Sequence, residues 1–146
     1  MKKWMKIIAV LTILGVLGAV ALYVFVYNKP HPSYAKLEAD FVVSSSVLYS
    51  QFKINSKTAS EKYNAKMLQI EGILSKIEEA DNTSIACFIM EEGVFGDQGI
   101  RISMMPEYAT ALSTEMIGKQ IKIKGLCAGY NDTDVILEHG SLAMIY

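Results

Sequence analysis

A chain of 146 residues that is 51% hydrophobic looks membrane-like at first sight, but the excess is concentrated between Ile7 and Tyr27, and the remainder has the size of one ordinary soluble domain. Its charge excludes more. Three of the fourteen Lys and Arg precede the apolar run, so eleven face fifteen Asp and Glu in the rest, a formal balance of about −4 that is the wrong sign for a general phosphate-backbone groove.

The chain opens Met-Lys-Lys-Trp-Met-Lys and then runs uncharged from Ile7 to Tyr27, 21 residues or about 31 Å of helix, enough to span a bilayer core. Lys2, Lys3 and Lys6 lie before it and only Lys29 follows closely. The positive-inside rule therefore predicts a single-pass inner-membrane anchor with the N-terminus cytoplasmic and residues beyond the helix extracytoplasmic, or periplasmic. Trp4, Tyr23 and Tyr27 suit the two interfaces. A cleaved signal peptide is the rival reading, since Ala19-Val20-Ala21 fits a small-x-small rule. The anchor is preferred because cleavage there leaves an apolar Leu-Tyr-Val-Phe-Val-Tyr terminus with no purpose. No Cys lies near the run to carry a lipid, which excludes a lipoprotein anchor.

The expected organisation is a membrane helix over 1–27, a stalk over 28–33 and one domain over 34–146. In the stalk, Pro30 and Pro32 stop the helix, and His31 between them reads as a polar linker residue. With His139 the only other histidine and two cysteines, no metal site is predicted, and no cofactor.

Residues 33–66 read as helical, with Ser44-Ser45-Ser46 capping Val47, Leu48, Gln51 and Phe52, a break at Asn55-Ser56, and a second helix to Tyr63. From Met67 the apolar period becomes two, giving a long strand that continues to Lys76-Ile77 and turns at Asp81-Asn82-Thr83. Ser84–Met90 is the return strand, 91–98 a loop and Gly99–Met104 a third strand. Pro106 starts a helix that reaches Gly118. Gln120–Tyr130 and Asp134–Glu138 form strands four and five around Asn131-Asp132-Thr133. Three strands, a helix and two strands is the connectivity of an OB-fold, a five-stranded Greek-key barrel with its helix between strands three and four. Gly72 and Gly125 suit the strand bends that close a small barrel.

The run from Tyr63 to Ile73, the segment Lys122-Ile123-Lys124-Gly125-Leu126-Cys127-Ala128-Gly129-Tyr130, and Asp134-Val135-Ile136-Leu137 resemble the bacterial tRNA-anticodon-like OB-fold (tRNA_anti-like) family. The Asn-Lys-Pro-His stalk after an apolar helix is similar to the family's membrane-anchored members. The resemblance covers roughly residues 28–146 and implies the OB-fold; it rests on strand patterns and glycines and implies no catalytic residue.

Cys87 and Cys127 fall in predicted strands two and four, outside the cytoplasm on this reading, as either a disulfide or two buried free thiols. Glu78-Glu79 and Glu91-Glu92 are adjacent pairs that point to opposite faces of extended chain, so neither forms an acid–base pair. Gly93-x-x-Gly96-x-x-Gly99 lacks the strand-to-helix context of a phosphate loop, and the Ser triplet has no nucleophile elbow; no enzyme is predicted. Lys119, Lys122 and Lys124 offer a local basic strip, with the last two on one strand face, but a solvated strand face is the preferred reading. The expected function is a non-catalytic interaction module whose partner is an envelope protein or glycan. The alternative is single-stranded nucleic-acid binding, which the fold favours and charge and location oppose. Candidate contacts are Phe88, Phe95, Arg101, Tyr130 and Asn131, each aromatic being equally suited to the core.

Overall fold

The protein is described from a computed structural model covering residues 2–23, 25 and 33–145, in two separate units, Met1–Pro32 and Ser33–Tyr146. Helix α1, Lys2–Leu22, is long and apolar enough to cross a membrane. Tyr27 and residues 28–32 of the expected stalk lie outside the described residues.

The second unit opens with a 3₁₀ turn at Tyr34–Lys36 and then departs from the all-helical expectation. Phe41–Ser44 is a strand, β1, because its aromatic and β-branched residues find a parallel partner in β2 (Met67–Ile73), in the register Phe41 opposite Leu68. Asp40 fixes that register, donating its N–H to the Met67 carbonyl (2.7 Å) and accepting the Met67 N–H on its carboxylate (2.8 Å). Ser44 then caps α2 (Ser45–Ile54) by accepting from the Val47 N–H, as the serine run predicts, and Asn55 caps α3 (Ser56–Tyr63) through the Thr58 N–H. Leu48, Phe52 and Tyr63 carry the apolar side of this pair into the core.

Among the described residues the strands number seven rather than five: β2, β3 (Lys76–Ala80), β4 (Thr83–Gly93), β5 (Gly96–Met104), β6 (Gln120–Tyr130) and β7 (Val135–Ile145) follow β1, in one sheet ordered β1-β2-β6-β7-β5-β4-β3. The predicted long first strand is divided at Leu74-Ser75. Its first half pairs with β6 and its second with β4, and the corner bonds to both sides: the Leu74 N–H donates to Lys119 (3.1 Å) and the Ser75 N–H to Cys87 (2.9 Å). Two residues thus join positions near opposite ends of the sheet, which requires it to curl round. The ladder itself ends at β1 and β3, so the architecture is an OB-like, mostly-sheet domain and not the closed five-stranded barrel the sequence predicts. Inside the curl lie Leu68, Ile70, Phe88, Ile100, Ile102, Ile121, Ile123, Val135 and Leu137, all fully buried.

Two connections also differ from expectation. The helix after β5 lasts one turn, α4 at Pro106–Ala109, before the weak helix formers Thr110, Ser113 and Thr114 lead into a 3₁₀ turn at Thr114–Met116. The predicted loop over 91–98 is mostly strand, because β4 and β5 continue to a two-residue turn at Val94-Phe95 flanked by paired Gly93 and Gly96, the latter at φ +120°. Gly99 is needed for closeness, since a Cβ there would sit 2.0 Å from the Phe88 carbonyl oxygen.

Candidate functional site

The β4–β5 hairpin projects two apolar side chains from its tip, Val94 at 95% and Phe95 at 98% exposure. Its stem is held from behind by α2. Tyr49 donates its hydroxyl to Gln98 Oε1 (3.2 Å), and Lys53 forms an ion pair with Glu91 while its ammonium lies 5.8 Å from the Tyr49 ring centroid. The Glu91 bond raises the Lys53 pKa, and burial raises that of the Tyr49 phenol. The tip is therefore a greasy pair on a braced stem, bordered by Glu91, Glu92 and Asp97.

Phe88, offered with Phe95 as a contact residue, lies on β4 but points inward and is fully buried, so it belongs to the core. Arg101 sits where β5 lies between β4 and β7. Its guanidinium bonds Glu78 of β3 and, through Nε, Asp134 Oδ2 (3.1 Å), and Nη1 lies 3.8 Å from Cys87 Sγ. Asp134 also accepts the buried Gly99 N–H on Oδ1 (2.9 Å). Arg101 is thus a tie across the sheet, with much of its donor capacity spent inside the fold.

Tyr130 and Asn131 stand together at the β6–β7 turn, and their own bonds shape it. Asn131 Oδ1 accepts from the Thr133 N–H (3.1 Å), the Thr133 hydroxyl (2.8 Å) and the Asp134 N–H (2.7 Å). The Tyr130 hydroxyl donates to the Asp132 carbonyl (2.9 Å), and its ring packs on Phe52 with centroids 5.6 Å apart. Burial raises the pKa of this phenol. The turn is a fixed surface next to the α2–α3 end of the domain.

Both cysteines are free and buried. Cys87 faces Arg101, whereas Cys127 lies 3.7 Å from Asn64 Oδ1, and the strands bearing them are separated in the sheet by β7 and β5. Burial pushes each thiol up to about 11. Among the described residues no group of three His, Cys, Asp or Glu is placed to hold a metal ion.

The basic strip divides. Lys122 and Lys124 share a face of β6, as alternation predicts; Lys122 pairs with Glu71 (3.0 Å), and Lys124 donates to the carbonyls of Ala35 (2.8 Å) and Leu37 (3.1 Å). Sequence reasoning missed Tyr49, Gln98 and Asp134, whose roles depend on neighbours distant in sequence, and Ser141, which looks like any strand serine.

No curated protein sequence matches the chain. Among solved structures it is similar to a "putative nucleic acid-binding lipoprotein" from Klebsiella pneumoniae, with 16% identity over 80% of this chain and 100% of that one at a TM-score of 0.49. It is also similar to a "putative aspartyl-tRNA synthetase" from Leishmania major, with 8% identity over 81% of this chain and 23% of that one at a TM-score of 0.46. Yeast Stn1 and Ten1 show 11% identity over 75% of this chain and 65% of that one at a TM-score of 0.38. The tRNA_anti-like family model matches residues 1–141, the apolar helix included, and the chain belongs to the tRNA_anti-like family.

Proposed function

We propose that this protein is a non-catalytic binding module, held outside the cytoplasm by α1, that engages an envelope protein or other envelope component through the tip of its β4–β5 hairpin. The observation that carries this reading is the exposure of Val94 and Phe95 at the end of a stem that Tyr49, Gln98, Lys53 and Glu91 brace. An exposed aromatic that adds nothing to the core is the kind of anchor that binding energy concentrates on. The acidic border of Glu91, Glu92 and Asp97 favours a partner whose apolar pocket is rimmed by basic groups. Lys2, Lys3 and Lys6 at the N-terminal end of α1 support the orientation.

A second reading, single-stranded nucleic-acid binding, draws on the same residue, because an exposed phenylalanine is a stacking platform for a base. The acidic border opposes it, since a backbone would pass three carboxylates to reach the ring.

The test is a photo-reactive phenylalanine at position 95 of the full-length protein, crosslinked in cells and followed by mass spectrometry of the adducts. A recurrent envelope protein or glycan, lost when competing unlabelled protein is added and retained when that competitor carries Phe95→Ser, supports the module. Recovery of nucleic acid at that position moves the function to the second reading, and absence of any recurrent adduct overturns both.

A further inference from the structure

A separate groove lies on the far side of the sheet from the interior, under the segment that leads into β1. Gln69 of β2, Lys124 of β6 and Ser141 of β7 are consecutive partners across three strands and therefore point to the same side. The chain from Ala35 to Ala39 covers this row and leaves a cavity of about 590 Å³, the size of a small-molecule site.

Two features of the row suit it to a polar ligand group. Ser141 is only 2% exposed, and its hydroxyl is buried without a hydrogen-bond partner, a state that costs free energy unless something accepts from it or donates to it. Its neighbour Lys124 spends two of three ammonium donors on the carbonyls of Ala35 and Leu37 and makes no ion pair within 4 Å among the described residues, so its charge is unanswered. Lys122 and Gln69, by contrast, are engaged with Glu71.

We propose that this groove binds a mono-carboxylate bearing a short apolar chain, with its two oxygens between Lys124 Nζ and Ser141 Oγ. One unanswered ammonium and one hydroxyl match a single carboxylate. Glu38 on the groove opposes a second negative charge, which disfavours a phosphate dianion. Val42, Leu142 and Ala143 supply the apolar wall for the chain. This site uses no hairpin residue and stands apart from the function proposed above.

The experiment is an amide chemical-shift titration of full-length, ¹⁵N-labelled protein in detergent micelles, with sodium butyrate as probe and butyramide and inorganic phosphate as comparators at constant ionic strength. Butyrate is expected to give saturable shifts at Leu37, Lys124 and Ser141, with butyramide and phosphate each at least about tenfold weaker. Ser141→Ala should weaken butyrate about fivefold, and Lys124→Gln should abolish its binding. Because Lys124 also ties down the covering segment, Ser141→Ala decides: that hydroxyl bonds nothing in the fold, so its removal leaves the groove intact. Alanyl-valine in place of butyrate separates the two sources of such a group, tighter binding of the dipeptide marking a peptide C-terminus and tighter binding of butyrate a free acid. No saturable butyrate binding, equal binding of butyramide or phosphate, or an unchanged Ser141→Ala affinity overturns the proposal.

Discussion

Tyr34 and His139 stack nearly flat, with ring centroids 4.0 Å apart and planes 6° from parallel, although one precedes the first strand and the other lies in the seventh. The contact depends on a bulge. Between Lys124 and Leu126 the register shifts, so that β7 runs from Ser141 to Glu138 opposite them, and His139 within that stretch takes φ +54°.

His139 therefore balances backbone strain against ring stacking, and two substitutions separate them. His139→Ala loses the stack and keeps the strained φ, and should lower stability by about 1 kcal/mol. His139→Gly loses the stack but relieves the strain, and should lie within about 0.5 kcal/mol of wild type. Urea denaturation measures both; equal losses for the two would show that φ plays no part.

The two phenylalanines of the hairpin strands should behave oppositely. Phe88→Ala removes a fully buried ring and should cost about 3–5 kcal/mol, whereas Phe95→Ser at the tip should change stability by less than about 0.5 kcal/mol. Thermal or chemical denaturation of the pair checks this, and a large loss at position 95 would place that ring against another part of the fold.

Asp134 serves a backbone donor and a guanidinium at once, and its substitutions should be graded. Asp134→Ala leaves the buried Gly99 N–H and Arg101 Nε without their acceptor, for a loss of about 2–4 kcal/mol. Asp134→Asn can still accept from Gly99 and should lose about half as much. Equal losses in chemical denaturation would mean that charge, and not the Gly99 bond, governs the site.

Acid should release Glu78. The Lys76 hydrogen bond foremost, together with Arg101, holds this carboxyl below its ordinary value. A carboxyl lowered in the folded state contributes stability that is present above its unfolded pKa of about 4.3 and is lost as pH falls through the lower folded value. Stability measured from about pH 5 downward should fall less steeply in Glu78→Gln than in wild type. Parallel acid limbs would assign the acid sensitivity elsewhere.

The thiols should be silent until the domain opens. With each pushed up to about 11, only about one molecule in a thousand carries a given thiolate at pH 8. Iodoacetamide should leave the native mass unchanged and add two groups after unfolding in guanidinium. Failure of the unfolded chain to react without reductant would reveal a disulfide.

What the sequence disclosed and what it concealed follow from how local each feature is. The Ser44 cap, the Asn55 break and the whole of β6 are written in neighbouring residues, and each stands where the pattern predicts. β1 was hidden because Phe41-Val42-Val43 is a short run beside helical sequence, and its partner Leu68 lies beyond two helices. The Leu74-Ser75 corner was invisible because period-two alternation continues through it; only Lys119 and Cys87, far along the chain, reveal it. At the surface, Phe88 and Phe95 are the same residue type on one hairpin, and the pleat turns one inward while the two-residue turn turns the other outward. Arg101 could be read as a free cation until β7 brought Asp134 beside it.

β7 follows every other strand in sequence yet lies inside the sheet, between β6 and β5. Until residues 135–145 have left the ribosome, no strand joins β5 of the β3–β4–β5 meander to β6 of the β2–β6 pair, and the sheet is open between them. Completion of the domain is thus deferred to the end of β7 synthesis. Such a timetable keeps the preceding chain slack while it is being made.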